Sequence, residues 1–83
     1  PKITSLTDGA EYLVIHGQKQ ELMLGCSAEN GVSRVFWYLN DKLYKSAKPS
    51  EKVFFRPKAG SYKISCSDDR GRNSDVFIKV SFI

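Results

Sequence analysis

The side chains best suited to chemistry in this sequence are two cysteines, Cys26 and Cys66, and one histidine, His16. A cysteine nucleophile needs a neighbouring base to hold it as a thiolate, but His16 lies in a turn beside Gly17 with no apparent partner. A zinc site built on cysteines needs ligands at short spacing, and these two lie far apart in the chain. The sequence therefore predicts no catalytic residue, no metal ligand and no cysteine-based catalysis.

The aspartates most relevant to chemistry lie in sequence patterns that are typical of turns. Asp68 and Asp69 are adjacent, so on a strand they would point to opposite sides, whereas the paired carboxylates of glycoside hydrolysis face each other across a cleft. Asp8 precedes Gly9, which is also a turn signature. Asp75 does not extend the Asp68-Asp69 pair into the alternating acids of a calcium loop. We expect these groups to accept local backbone hydrogen bonds.

The charge of the chain points to a solvated surface. Its 83 residues carry a net charge of +4 with 41% hydrophobic residues, which is ordinary for a single globular domain, residues 1–83. The densest group of cations is Lys42, Lys45, Lys48 and Lys52, the best candidate for an anionic partner. There is no glycine-rich phosphate loop, so we expect no cofactor and no nucleic-acid partner. No apolar run is long enough to cross a membrane.

Turn signals recur at short intervals along the chain, and no apolar pattern has the helical period. Such spacing is typical of a sandwich or barrel of short strands. The fold class predicted is all-β, an immunoglobulin-like antiparallel β-sandwich of about seven strands. The segments predicted as strands are Lys2–Leu6, Glu11–Ile15, Gln20–Cys26, Ser33–Leu39, Lys42–Lys45, Lys52–Arg56, Ser61–Ser67 and Asp75–Phe82.

Period-two alternation assigns one face of each strand to the interior. The residues predicted to form the core on this basis are Leu24, Val35, Trp37, Ile64 and Ile78. Cys26 and Cys66 also fall on inward faces, with Trp37 between them in sequence, an order that resembles immunoglobulin domains. Two interpretations stay open: a Cys26–Cys66 disulfide, formed in an oxidising compartment, or two reduced core cysteines that act as small hydrophobes.

Several aromatic side chains alternate away from the core. Phe36 and Tyr38 lie on the opposite face from Trp37, with Arg34 beside them and Tyr44 on the next strand. Exposed aromatics among polar residues make good contact surface for protein or sugar. Alternatively, these rings cover the second face of a curled sheet or pack beneath loops. The sequence predicts Arg34, Phe36, Tyr38 and Tyr44 as the contact surface.

The order of motifs resembles the C-terminal domain of bacterial penicillin-binding protein 1C. The segments that carry the resemblance are Pro1-Lys-Ile3 with Asp8-Gly9-Ala10-Glu-Tyr12, Val35-Phe-Trp37-Tyr38-Leu39-Asn40-Asp41, Phe54-Phe55-Arg-Pro57-Lys-Ala-Gly60-Ser-Tyr62, and Asp68-Asp69-Arg70-Gly71-Arg72. They cover nearly the whole chain. Asp41 departs from the family pattern, which tends to have Gly there.

This resemblance implies a non-catalytic accessory module, excised from the C-terminus of a peptidoglycan synthase. The parent would be a glycosyltransferase and transpeptidase, anchored in the inner membrane, with this domain in the periplasm. The domain itself lacks the transpeptidase motifs, since no Ser is followed by Lys at the third position and no Lys-Thr-Gly occurs. The implied partners are its own transpeptidase domain, a periplasmic protein or peptidoglycan.

Two other functions remain open at this point. The chain could be an immunoglobulin-like adhesion or carbohydrate-binding module of a bacterial surface protein, or it could be a structural spacer. Tandem repeats of similar domains upstream would favour a spacer. A Lys-Thr-Gly transpeptidase domain upstream would favour the accessory module.

Overall fold

Nine β-strands and no helix make up the structure, a computed structural model that describes residues 1–83. The all-β sandwich expected from the sequence is confirmed. The strands are β1 (Lys2–Ile3), β2 (Glu11–Val14), β3 (Leu22–Leu24), β4 (Cys26–Ser27), β5 (Val35–Leu39), β6 (Lys42–Ala47), β7 (Val53–Phe55), β8 (Gly60–Asp68) and β9 (Asn73–Phe82). With no helix present, the structure has none that could span a membrane.

One layer of the sandwich is a five-stranded sheet in the order β2-β9-β8-β5-β6. The long strands β8 and β9 pair antiparallel from Gly60↔Val80 to Ser67↔Asn73 and form its centre. At one edge, β2 pairs with β9 in parallel, with Glu11 opposite Lys79 and Val14 opposite Phe82. This ladder differs from the wholly antiparallel arrangement predicted from the sequence, because alternation along a strand does not specify the direction of its neighbour.

The second layer consists of two short antiparallel ladders, β1–β4 and β3–β7. The segment predicted as one strand, Gln20–Cys26, is interrupted at Gly25, which separates β3 from β4. There the Gly25 N–H donates to Ser5 Oγ at 2.8 Å and the Gly25 carbonyl accepts from the Thr4 N–H at 3.0 Å. The chain therefore changes partner at Gly25, from β7 to β1, and the strand count rises.

The core lies between the two layers. Leu24, Val35, Trp37 and Ile64 are completely buried, and Ile78 is 4% exposed, so the structure places all five predicted core residues inside. Leu24 comes from β3 in the second layer, and the other four come from the five-stranded sheet. Burial of this apolar surface is the main force that holds the layers together.

Tight turns fix the ends of the central strands. A two-residue turn, Asn40-Asp41, joins β5 to β6 with φ angles of 51° and 67°. Two successive positive φ angles are typical of the type I′ hairpin turn. Near the start of β8, the Tyr62 hydroxyl accepts a hydrogen bond from the Lys58 N–H at 2.9 Å. It ties down the loop upstream of its strand, as the tyrosine corner of immunoglobulin domains does.

Candidate functional site

The outer face of the five-stranded sheet carries an apolar cluster on β5 and β6. Phe36 and Tyr38 alternate with the buried Val35 and Trp37 and so point away from the core. Across the hairpin, Tyr38 pairs with Leu43. We call Arg34, Phe36, Tyr38 and Leu43 the outer patch.

The members of the outer patch differ in exposure. Leu43 is 59% exposed, whereas Phe36 and Tyr38 are half-buried. Ser65, which lies opposite Tyr38 on β8, is only 7% exposed although it is on the outer face. The larger side chains around it therefore cover the sheet here, and Leu43 is the apolar member of the patch that projects into solvent.

Arg34 supplies the positive charge at the border of the outer patch. Its guanidinium donates to Ser46 Oγ at 2.9 Å, and Ser46 is the residue of β6 that pairs with Phe36. The Arg34 carbonyl also accepts from the Asp69 N–H at 3.2 Å, which fixes the backbone at the start of β5. Arg34 is thus held beside the ring of Phe36 while its charge stays exposed.

Tyr44 is separated from the other predicted contact residues. The ladder between β5 and β6 is irregular there, so that Leu43 and Lys45 are paired and Tyr44 is not. The Tyr44 hydroxyl donates to the Phe54 carbonyl at 2.8 Å, and its ring makes an edge contact with the nearly buried Phe55. Tyr44 therefore bridges the edge of the large sheet to β7 instead of joining the outer patch.

Leu43 is the member of the outer patch that the sequence reasoning missed. A signal for it was present, because counting outwards from a two-residue turn at Asn40-Asp41 places Leu43 opposite Tyr38. Phe77 on β9 is also exposed, at 57%, but it pairs with Lys63. It lies apart from the outer patch on the same face.

Both cysteines contribute to the interior of the sandwich. Cys66 lies on β8 opposite Trp37 and is completely buried, and Cys26 on β4 is half-buried against the same core. Both are thiols in this structure, and the Cys26 sulfur lies 3.9 Å from the Pro49 carbonyl. Burial and then the neighbouring Cys26 sulfur raise the pKa of the Cys66 thiol from 9.0 to about 12. A thiol held protonated in this way is a poor nucleophile at neutral pH.

The carboxylates at the end of β8 hold a turn together. Asp68 accepts hydrogen bonds from the N–H groups of Arg70 and Arg72, at 2.8 and 2.9 Å, and from Arg72 Nε at 2.8 Å. Desolvation acts to raise the pKa of the Asp68 carboxyl, but these hydrogen bonds and the guanidinium charge outweigh it and lower the pKa. Asp69 is likewise engaged by Ser33, which lowers the pKa of Asp69. Neither group is free to act as an acid or base on a substrate.

The remaining reactive side chains are also isolated from one another. His16 stacks edge-on against Phe82, with ring centroids 6.3 Å apart. No group of three potential metal ligands occurs in the structure. The one surface hollow is lined by Pro1, Lys2, Ser27, Ala28 and Glu29, which do not form a nucleophile and base pair. The arrangement offers contact surface and no assembled reaction centre.

Comparison with known structures places the fold. The chain is similar to a fibronectin(III)-like module of CbhA from Clostridium thermocellum, with a TM-score of 0.74 and 18% sequence identity. The alignment covers 95% of this chain and 92% of that module. At this identity the likeness speaks for the fold alone, and it supports the immunoglobulin-like sandwich. No curated protein gives a significant sequence match to the chain.

Comparison with protein families is more specific. A family model described as Penicillin-Binding Protein C-terminus Family matches residues 1–80. The match spans all the motifs on which the sequence resemblance depended, so that resemblance is confirmed. The chain therefore belongs to the family of penicillin-binding protein C-terminal domains.

Proposed function

We propose that this chain is a non-catalytic docking module of a penicillin-binding protein, and that it contacts another protein through the outer patch. The observation that carries the proposal is Leu43, which is 59% exposed beside Phe36 and Tyr38. An apolar side chain that projects from an aromatic cluster loses its contact with water when a partner covers it.

The chemistry of the outer patch favours a protein partner over a glycan. Sugar-binding surfaces use aromatic rings with open faces, whereas Phe36 and Tyr38 are half-buried and the exposed apolar member, Leu43, is aliphatic. An apolar centre with an arginine at its border, here Arg34, is typical of the buried cores of protein interfaces.

The family suggests where such a partner would be found. The parent would be a peptidoglycan synthase with glycosyltransferase and transpeptidase domains, anchored in the inner membrane of the cell envelope. This module would then work in the periplasm, and its partner would be the parent's own transpeptidase domain or another periplasmic protein. A role without catalysis is supported by Asp68 and Asp69, which are engaged in turn hydrogen bonds, and by the buried Cys66.

The proposal is tested by titrating the ¹⁵N-labelled chain with the parent's transpeptidase domain and, separately, with soluble muropeptides. We expect amide shifts centred on β5 and β6 with the protein and none with the muropeptides. Leu43→Asp should weaken protein binding at least about tenfold, since buried apolar anchors dominate interfaces. Leu13→Asp is the matched control, because Leu13 is 58% exposed but lies on β2 at the far edge of the sheet.

Other results would overturn the proposal. Shifts of the outer patch with muropeptides alone would make the chain a glycan-binding module. Shifts with neither ligand would rule out the transpeptidase domain and muropeptides as ligands of the outer patch. Equal losses for Leu43→Asp and Leu13→Asp would place the interface elsewhere on the domain.

A further inference from the structure

Strand β6 is an open edge of the five-stranded sheet. It pairs with β5 on one side and with no strand on the other. The backbone hydrogen bonds made outside the ladders all involve residues other than Lys42–Ala47. The side chains of Ser46 and Tyr44 bond to Arg34 and to the Phe54 carbonyl, which leaves the β6 backbone free. Unpaired N–H and C=O groups on a sheet edge are a template for another strand.

Alternation along β5 identifies the residues of β6 that present these free groups. The Arg34 carbonyl accepts a hydrogen bond from the turn that follows β8, so the Arg34 backbone faces β8. Backbone groups alternate between the two sides of a strand, so those of Phe36 and Tyr38 also face β8. Their partners on β6 are Ser46 and Leu43. These two residues therefore make no ladder bond with β5 and direct their N–H and C=O groups to the open edge.

The open edge carries positive charge that has no ionic partner in the chain. Lys42 and Lys45 lie on β6 and Lys48 follows it, and all three are exposed. The salt bridges of the domain involve other cations, namely Lys63 and Arg72. Like charges brought together on paired strands repel, so these lysines oppose pairing with a second copy of β6. An acidic strand would instead neutralise them.

We propose that β6 binds an extended acidic segment of a partner protein as an added strand. This rests on the proposed function, because Leu43 belongs to both the outer patch and the open edge. Lys42 and Lys45 pair with the inward-facing Leu39 and Trp37, so they lie on the opposite face of β6 from Leu43. A segment that alternates acidic and apolar residues would place carboxylates beside the lysines and apolar side chains beside Leu43.

The inference is tested with a designed probe, a blocked peptide of about eight residues in which glutamate alternates with valine or threonine. When the peptide is added to the ¹⁵N-labelled chain, the Leu43 and Ser46 amides should exchange more slowly, because their N–H groups gain an acceptor. Raising the salt concentration from about 50 to about 500 mM should weaken binding. A matched peptide with lysine in place of glutamate should not bind.

Two pairs of variants separate the role of charge from that of backbone pairing. Lys45→Glu should weaken peptide binding at least about fivefold, whereas Lys19→Glu, in the loop after β2, should not. Ser46→Pro should abolish binding, because proline removes an outward N–H of the edge strand without removing a bond to β5. Ser46→Ala also loses the hydroxyl that Arg34 contacts but keeps the N–H, so it should bind like the wild type.

Several results would overturn the inference. It is wrong if the Leu43 and Ser46 amides of the wild type exchange equally fast with and without the peptide, a measurement that needs no variant to fold. It is also wrong if the lysine peptide binds equally well, or if a folded Ser46→Pro binds like Ser46→Ala. Binding of the chain to phosphatidylglycerol vesicles but not to the peptide would assign the lysines to an anionic membrane instead.

The transpeptidase domain of the parent distinguishes this inference from the proposed function. If its binding is weakened by Leu43→Asp but not by Ser46→Pro or Lys45→Glu, the outer patch docks a partner and the added strand is wrong. If the acidic peptide slows exchange at β6 while the transpeptidase domain does not bind, the added strand stands and docking on that domain is wrong.

Discussion

Asp68 is a buried carboxylate that accepts three hydrogen bonds. Its side chain has no exposed surface, and it accepts from two backbone N–H groups and from Arg72 Nε. Arg72 in turn reaches Glu29 in the loop after β4. Arg72 thus connects the turn at the end of β8 to the loop after β4, because it pairs with both Asp68 and Glu29.

This environment predicts a loss of stability in acid. The pKa of Asp68 lies below its ordinary value of 3.8 in the folded chain, so its contribution to folding is complete above about pH 4. It disappears as the pH falls through the lowered pKa, because the protonated form keeps fewer of these bonds. Urea unfolding should therefore show a clear fall in the free energy of unfolding between pH 7 and pH 2.5.

Two variants distinguish the effect of Asp68 on acid stability from that of the other carboxylates. Asp68→Asn should be less stable than the wild type at pH 7 and should lose less on acidification. Asp75→Asn, an exposed position whose side chain accepts no hydrogen bond in the structure, should lose as much as the wild type. A ¹³C titration of the Asp68 carboxyl with a midpoint at or above 3.8 would contradict the argument.

At the scale of elements, the β5–β6 hairpin sets the composition of the outer patch. Its turn places Tyr38 opposite Leu43, and the irregularity after Leu43 turns Tyr44 towards Phe54 and Phe55. The turn is also attached to β8 by two hydrogen bonds of 2.8 Å. The Lys63 N–H donates to Asn40 Oδ1, and the Asn40 N–H donates to the Lys63 carbonyl. The patch therefore depends on the geometry of two residues, Asn40 and Asp41.

Asp41 occupies a left-handed position, with φ of 67°, where glycine is the residue without steric cost. Asp41→Gly should leave the free energy of unfolding within about 1 kcal/mol of the wild type, since the exposed ion pair with Lys63 adds little. Asp41→Val should cost about 1–2 kcal/mol more than Asp41→Gly, because a branched side chain resists this φ. Urea denaturation of the variants measures both.

A matched control distinguishes backbone strain from the effect of valine itself. Lys45→Val introduces the same side chain at an exposed, paired position of β6, where valine is favourable. It should not be destabilised. If Asp41→Val were as stable as Asp41→Gly, the positive φ would not govern this turn.

At the scale of the whole molecule, stability should be graded from the centre of the large sheet outwards. Strand β8 pairs with β9 from Gly60 to Ser67 and with β5 from Ile64 to Asp68, whereas β1 and β4 form one ladder of two residue pairs and β2 has one partner. Short edge strands open more easily than central ones. Native-state hydrogen exchange should show β8 amides exchanging only on global unfolding, and β1 and β4 amides much faster.

The same exchange measurement can be made on the reduced and the oxidised chain. If Cys26 and Cys66 are joined by a disulfide, the β4 amides should be better protected from exchange after oxidation. The β8 amides should remain better protected than the β2 amides. Uniform protection across all strands of the reduced chain would contradict the graded picture, since it would mean that the sandwich opens only as one unit.

Much of the fold followed from local patterns. Period-two alternation identified the inward faces of β5, β8 and β9, and the turn residues located most of the strand ends. The order of Cys26, Trp37 and Cys66 indicated an immunoglobulin-like sandwich, and the motif order indicated the family. These features could be predicted because alternation and turn preference are properties of neighbouring residues.

Only the tertiary structure decided which strands and side chains lie beside one another. Three features depend on residues far apart in sequence: the parallel β2–β9 ladder, the change of partner at Gly25, and the separation of Tyr44 from Phe36 and Tyr38. Alternation says which way a side chain points but not which strand lies beside it. That choice belongs to the packing of the two layers around Trp37, where burial of the whole core selects one arrangement.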